Sequence, residues 1–246
     1  MRRRAILIRG RGNDEGMSKR WTDADLSAFE WFLRYPLGGS WENEEIQEYD
    51  CSVHRDYKAL ISDLNHLEQV DYAMIIYFGS MCSKETYWGT EYHCFPLADD
   101  TLWDLRRLEQ CERVTVLMDS CRNCSFEPQV QIGRWMNAMD GGRISRDEVR
   151  DKYEEIILKS EAGIISVHAS DLEPHEVGNN TFSHALIRSA ISWKNELEED
   201  DGVLCVRDAT LLARKCLQNH CNSRQEPLFD TQGMLRRQNF PFAVSC

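Results

Sequence analysis

No run of apolar residues in the sequence is long enough to span a membrane. The amino-terminal Arg2-Arg3-Arg4 is followed by only four apolar residues, Ala5 to Ile8, shorter than the apolar region of a secretory signal. An intracellular, cytoplasmic protein with no membrane association is therefore expected. An excess of positive charge is also lacking: 29 Lys and Arg stand against 41 Asp and Glu, a net charge of −12, which argues against a general nucleic-acid or anionic-lipid binder. The clusters Arg2-Arg3-Arg4 and Arg236-Arg237 are too small to reverse that. Linkers rich in Pro, Gly or Ser, internal repeats and low-complexity tracts are missing too, so residues 1–246 are expected to form a single domain. A hydrophobic fraction of 42% is enough for its core. Cysteine is plentiful at ten residues, but the spacing is irregular for a chain this large, and reduced thiols are expected rather than a disulfide framework.

What is present is a series of short β-branched apolar runs that end abruptly in polar residues. The central one is Val114-Thr115-Val116-Leu117-Met118, closed by Asp119-Ser120-Cys121-Arg122, the pattern of a buried parallel strand delivering residues to a sheet edge. Tyr72 to Phe78, ending at Gly79-Ser80-Met81-Cys82, and Gly163 to His168, ending at Ala169-Ser170-Asp171, repeat it, and Ala5 to Ile8 is a shorter instance closed by Gly10 and Gly12. Helical spacing predicts helices from Thr22 to Pro36, with Thr22-Asp23-Ala24-Asp25 as capping residues, and over His54 to Leu67, about Asp100 to Leu108, Ser145 to Lys159, Thr181 to Trp193 and Asp208 to Asn219. A short edge strand is expected within Glu44 to Asp50, a hairpin over Tyr87 to Leu97, and an irregular excursion over Gln129 to Arg143. The stripe Phe29, Trp31, Phe32 reads as core. Strands separated by helices predict an α/β fold: an open, mostly parallel central sheet flanked by helices on both faces.

In a parallel sheet the three polar strand ends converge on one edge, where such sheets bind and react. Cys121 there is a candidate nucleophile, and a thiol peptidase would also need a base, two N–H donors for an oxyanion and a pocket for a substrate side chain.

Taken in order, these pieces resemble the caspase and metacaspase superfamily of cysteine peptidases. The resemblance is carried by Ala5-Ile-Leu-Ile, Thr22-Asp-Ala-Asp-Leu, Tyr77-Phe-Gly-Ser-Met-Cys82, Tyr92-His-Cys-Phe-Pro-Leu-Ala-Asp99, Val116-Leu-Met-Asp-Ser-Cys-Arg122, Ala169-Ser-Asp-Leu-Glu, Thr181-Phe-Ser-His-Ala-Leu186, Arg224-Gln-Glu-Pro and Phe240-Pro-Phe-Ala-Val244, and so covers nearly the whole chain. It implies a caspase-like fold, Cys121 as nucleophile, and the backbone N–H groups of Cys82 and Cys121 as oxyanion donors. It also places Asp25 and Asp119 where metacaspases bind a basic P1 side chain, a role two carboxylates in a cleft could fill. For Asp25 a helix-capping role stays open beside it.

The departure is Met81, at the position of the family's catalytic histidine. A thioether has no titratable nitrogen and can neither protonate a leaving amine nor favour a thiolate. Of His93, His168 and His184, His168 is the preferred substitute base because it ends a strand neighbouring Cys121, while His184 lies in a segment that follows the family's own pattern. The resemblance therefore implies a cysteine endopeptidase homologue impaired at its base, acting by binding a partner such as a related peptidase. The alternative is an active endopeptidase that cleaves protein or peptide substrates after Arg or Lys with a non-standard base.

Rival chemistries carry less. Cys121-Arg122-Asn123-Cys124 has redox spacing in the wrong surroundings. Cys205, Cys216, His220 and Cys221 match no common zinc pattern, and no metal ligand is assigned. No cofactor is expected; Glu198-Glu199-Asp200-Asp201 lacks EF-hand spacing, so calcium is implied by the resemblance alone. Partner identity and oligomeric state are not encoded in these patterns.

Overall fold

A computed structural model describes residues 1–10, 18–51, 53–79, 82–85, 91–96, 102–119, 145–169, 182–198, 201–220, 227–232 and 240–246. Met81, Cys121, Cys124, Cys221, the 129–143 excursion and residues 199–200 of the acidic run lie outside the described residues, as do the side chains of Cys82 and His93. In chain order the elements are β1 (Arg3–Arg9), α1 (Ser18–Arg34), β2 (Ile46–Asp50), α2 (His54–Asn65), β3 (Tyr72–Phe78), β4 (Cys82–Glu85), β5 (Glu91–Pro96), β6 (Leu102–Asp104), β7 (Arg113–Asp119), α3 (Arg146–Lys159), β8 (Gly163–His168), α4 (Phe182–Glu196), β9 (Gly202–Cys205), α5 (Val206–His220), β10 (Leu228–Gln232) and β11 (Pro241–Ser245).

The apolar runs become the main sheet, in the order β10-β8-β7-β3-β1-β2, with every pairing parallel except β10 on β8. Side-chain alternation divides each strand between two cores. Ala5 and Leu7, Met74 and Ile76, Leu117, and Ile165 and Val167 join α1, α3, α4 and α5 on one face. Ile6 and Ile8, Ala73 and Ile75, Val114 and Val116 join Leu60 and Leu64 of α2 on the other. All seven residues of β3 are buried. Each large apolar side chain so placed stabilises the fold by about 1.5–3 kcal/mol, which is why an uninterrupted apolar run settles in the sheet centre. The expected open, mostly parallel α/β sheet with helices on both faces is the observed architecture.

Several boundaries differ from the sequence expectations for physical reasons. Helix α1 begins at Ser18, so Thr22 to Asp25 sit inside it, and Asp25 is no cap. Instead of a helix over Asp100 to Leu108, Leu102–Asp104 forms β6, paired with β5 through Pro96↔Leu102 and Phe95↔Trp103, and a 3-10 helix follows at Leu105–Gln110. The hairpin starts at Cys82 rather than Tyr87, with Cys82↔Cys94 in register. Strands β9, β10 and β11 were not expected: β9 pairs with β11 in a separate two-stranded sheet, and β10 closes the main sheet antiparallel.

The amino-terminal edge of the sheet is closed by a buried charge cluster. The Arg3 side chain has no exposed surface. It donates to Glu45 (Nη2 to Oε2, 3.0 Å) and to the Gly39 carbonyl (3.1 Å), and lies 4.4 Å from the Trp41 ring centroid. Arg150 of α3 donates to the same carboxylate at 2.6 and 2.9 Å. Burial alone would raise the Glu45 carboxyl, but hydrogen bonds from Arg150 and Arg3 outweigh it and hold the pKa down at about 2, against an ordinary 4.5. A carboxyl lowered on folding contributes stability that is complete above its unfolded value and is lost as pH falls through its folded value. Replacing Glu45 by Gln is expected to cost about 2–3 kcal/mol at neutral pH, because it removes the carboxylate that Arg3 and Arg150 share and leaves Glu154 as the acid between them. In urea unfolding the gap between the two proteins should narrow as pH drops from 4.5 toward about 2; a gap independent of pH would place the stabilising charge elsewhere.

Candidate functional site at the carboxyl edge of the sheet

Parallel pairing brings the ends of β1, β3, β7 and β8 to one edge, and backbone hydrogen bonds hold them level. Gly10 N–H donates to the Phe78 carbonyl (2.7 Å), Gly79 N–H to that of Asp119 (3.1 Å), and Ala169 N–H to that of Met118 (2.9 Å). The chain leaves β1 toward β2 on one side and β3 toward β7 on the other, so the gap between β1 and β3 is the topological switch point where open α/β sheets form a crevice. That gap is narrow. A Cβ at Gly10 would stand 2.2 Å from the Tyr77 hydroxyl, and one at Gly79 2.9 Å from Gly10 Cα, so the close approach requires glycine at both positions. At the rim Arg9 pairs with Asp50 (2.7 Å) and with Asp23, tying β1 to β2 and α1.

Asp119, the last residue of β7, is 6% exposed, and its Oδ2 accepts the backbone N–H of Ser183 at 2.9 Å. Ser183 is the second residue of α4, one of the positions whose N–H has no partner within its own helix. A carboxylate there meets the positive end of the helix dipole, so β7 caps α4 from 64 residues away. Asp25 on α1 is equally buried and meets the next residue of α4: His184 Nε2 lies 2.5 Å from Asp25 Oδ1. An ionised carboxylate can only accept, so Nε2 carries the hydrogen in this pair. Ser183 and His184 thus bind the two carboxylates that sequence reading singled out.

His168 is placed differently. It ends β8 in register with Met118, on the face that carries Tyr77 and α2, while Asp119 and Asp25 belong to the face of α1 and α4. Cys82 opens β4, the first residue of the three-stranded antiparallel sheet β4-β5-β6. The pairing of His184 with Asp25 was missed from sequence. The available signal was a carboxylate among Leu26, Ala28 and Phe29 of an apolar helix face, since a buried acid needs a partner and the partner must be a donor.

The described thiols with shifted values are poor nucleophiles. Burial pushes Cys51 up to about 12 and Cys111 upward. Cys205 is pushed up to about 11 by burial and then by donation to Asp208, whose Oδ2 is 3.0 Å away. Cys205 and Cys216 are separated by roughly 15 Å of helical rise, too far for one metal. Among the described residues, no group of three or more His, Cys, Asp or Glu side chains could hold a metal ion, and no helix is long and apolar enough to cross a membrane.

Replacing Asp119 by Ala is expected to lower stability by about 1–2 kcal/mol, because it removes a charged cap from α4. Asn, which keeps an acceptor, should recover roughly half of that loss in urea unfolding.

No family model matches the chain, and no curated protein matches it. Solved structures do. A protein of Geobacter sulfurreducens superposes with a TM-score of 0.53 at 16% identity, over 99% of this chain and 100% of that one. The Drosophila initiator caspase Dronc superposes with a TM-score of 0.53 at 8% identity, over 96% of this chain and 81% of the other. At such identities the likeness concerns the fold, and together with the strand order it gives this chain a caspase-like α/β fold, with Asp119, Asp25 and His184 gathered at the carboxyl edge of its sheet.

Proposed function

We propose that the chain is a caspase-like cysteine-peptidase homologue, with Cys121 at the position of the nucleophile, that binds a peptide segment or a related peptidase at the carboxyl edge and turns substrate over poorly, if at all. The observation that carries this reading is the hydrogen bond from Gly79 N–H to the Asp119 carbonyl, 3.1 Å, which locks the ends of β3 and β7 side by side. Met81 follows Gly79 by two residues and Cys121 follows Asp119 by two. In this reading the Cys121 thiol and the Met81 thioether act at that edge.

The chemistry then turns on Met81. Peptide cleavage by a thiol needs a group that takes its proton and returns one to the leaving amine. A positioned acid–base group supplies about 10²- to 10⁴-fold, and a thioether supplies none of it. The backbone N–H groups of Cys82 and Cys121 remain as oxyanion donors in this reading, so the edge retains what is needed to hold a carbonyl without what is needed to expel an amine. Binding is what such a site does well. A cytoplasmic location without a cofactor is part of the proposal, and the same experiment tests the calcium that the resemblance implies.

Turnover of fluorogenic peptides with Arg, Lys, Asp or Leu at P1, with and without calcium, is the test. The natural chain and Cys121→Ala should both be silent, and Met81→His should gain Cys121-dependent cleavage of about 10²-fold or more. Cys121-dependent cleavage by the natural chain would overturn the impaired-enzyme reading.

A further inference from the structure

The β4–β5 ladder sets two cysteines against each other. Its register runs Cys82↔Cys94, Ser83↔His93, Lys84↔Tyr92 and Glu85↔Glu91, and β5 continues onto β6 with Cys94↔Asp104. Residues directly opposed in an antiparallel pair share a face, with Cα atoms about 4.5 or about 5.5 Å apart according to the type of pair. A disulfide spans about 4.4–6.8 Å between Cα atoms, so either type lies within its reach. Among the described residues no other ladder opposes two cysteines. Alternation places Lys84 on the same face as both cysteines. A cation there favours the thiolate, the form that attacks a disulfide, while Asp104 opposite Cys94 disfavours it, which makes Cys82 the first to react.

We propose that Cys82 and Cys94 are a redox pair: a small disulfide such as oxidised glutathione closes them into a cross-strand bond that staples β4 to β5 beside the carboxyl edge, and a small thiol reopens it. The Cys82 thiolate attacks one glutathione sulfur and releases a glutathione thiolate; the Cys94 thiolate then attacks the Cys82 sulfur and releases the second. Two protein thiols are oxidised, one glutathione disulfide is reduced, and the two protein protons end on the two glutathione thiols. Other described thiols compete poorly. Cys51 and Cys111 lie in the core under α2, where burial holds them as thiols, and Cys205 donates a hydrogen bond to Asp208 and stands opposite Pro241. Cys82 follows Gly79 by three residues, and Gly79 N–H is held to the Asp119 carbonyl at 3.1 Å, so the bond ties the hairpin close to the point where the chain leaves the central sheet. It does so whether or not that edge binds a peptide.

The test incubates the folded chain with about 1 mM oxidised glutathione, blocks the remaining thiols with N-ethylmaleimide and maps tryptic peptides without reduction. Trypsin separates the two cysteines, since Ala59–Lys84 contains Cys82 alone and Glu85–Arg106 contains Cys94 alone. The expected product is these two peptides joined, about 2 Da lighter than the separate thiols, and it should disappear on treatment with dithiothreitol. Amide hydrogen exchange over Ser83–Glu85 and Tyr92–Cys94 should slow by about tenfold in the closed form, because the bond opposes opening of the ladder. Cys94→Ser should abolish the joined product and leave Cys82 as its mixed disulfide with glutathione.

Either cysteine joined to a third one in the natural chain would overturn the proposal. So would both of them carrying glutathione or maleimide without joining. Joining with no slowing of exchange would also overturn it, since the bond would then have formed away from the ladder. If Cys94→Ser fails to fold, the peptide map and the exchange rates of the natural chain decide the question alone.

Discussion

The hydrogen bond from Ser183 N–H to the Asp119 carboxylate fixes the relation between sheet and helix at the carboxyl edge. It joins the end of the central strand β7 to the start of α4, and the neighbouring His184 then reaches α1 through Asp25. Three elements far apart in sequence are thereby held by two consecutive residues. Burial makes the arrangement exacting, since moving either donor would take a hydrogen bond from a carboxylate that is 6% exposed. The amino-terminal edge uses the same device with the signs arranged differently, the Glu45 carboxylate lying between the Arg3 and Arg150 guanidiniums. Between these two polar closures the sheet is almost wholly apolar.

The middle of the sheet was legible because its strands need nothing but burial. Tyr72–Phe78 and Gly163–His168 were read to the residue, since a fully apolar run bounded by glycine or polar residues has few alternatives. Legibility fell where pairing, not composition, makes the strand. Leu228-Phe-Asp-Thr-Gln232 is mostly polar, and it is a strand because β8 offers an unpaired edge; Gly202–Cys205 is a strand because β11 does. The same holds for Leu102–Asp104, whose helical pattern loses to the ladder on β5.

The site was legible in its acids and not in their partners. A carboxylate ending an apolar strand and another inside an apolar helix face stand out against their surroundings, and Asp119 and Asp25 are indeed buried at the edge. His184 lies 159 residues from Asp25, and no local pattern couples the two. Arg3 shows the same limit. In sequence it is one of three arginines in a row and reads as surface, yet Arg2 is exposed and Arg3 is buried among Trp41, Tyr153 and Glu45, because alternation along the strand turns neighbours to opposite sides.

Activity and stability pull the edge in opposite directions. An acid pair kept open for a cationic side chain must sit unpaired in a partly dry cleft, a state that raises carboxyl pKa values and costs folding free energy. A catalytic site sustains that cost because the substrate's charge offsets it during binding and the transition state. On the proposed reading, in which Met81 stands where the acid–base group would be, no rate acceleration remains to be protected by such strain. Pairing Asp25 with His184 and Asp119 with the α4 amino terminus avoids that cost. The pairing of the two acids needs no substrate to be stable, which agrees with the proposed reading of the edge as one that binds without turning over.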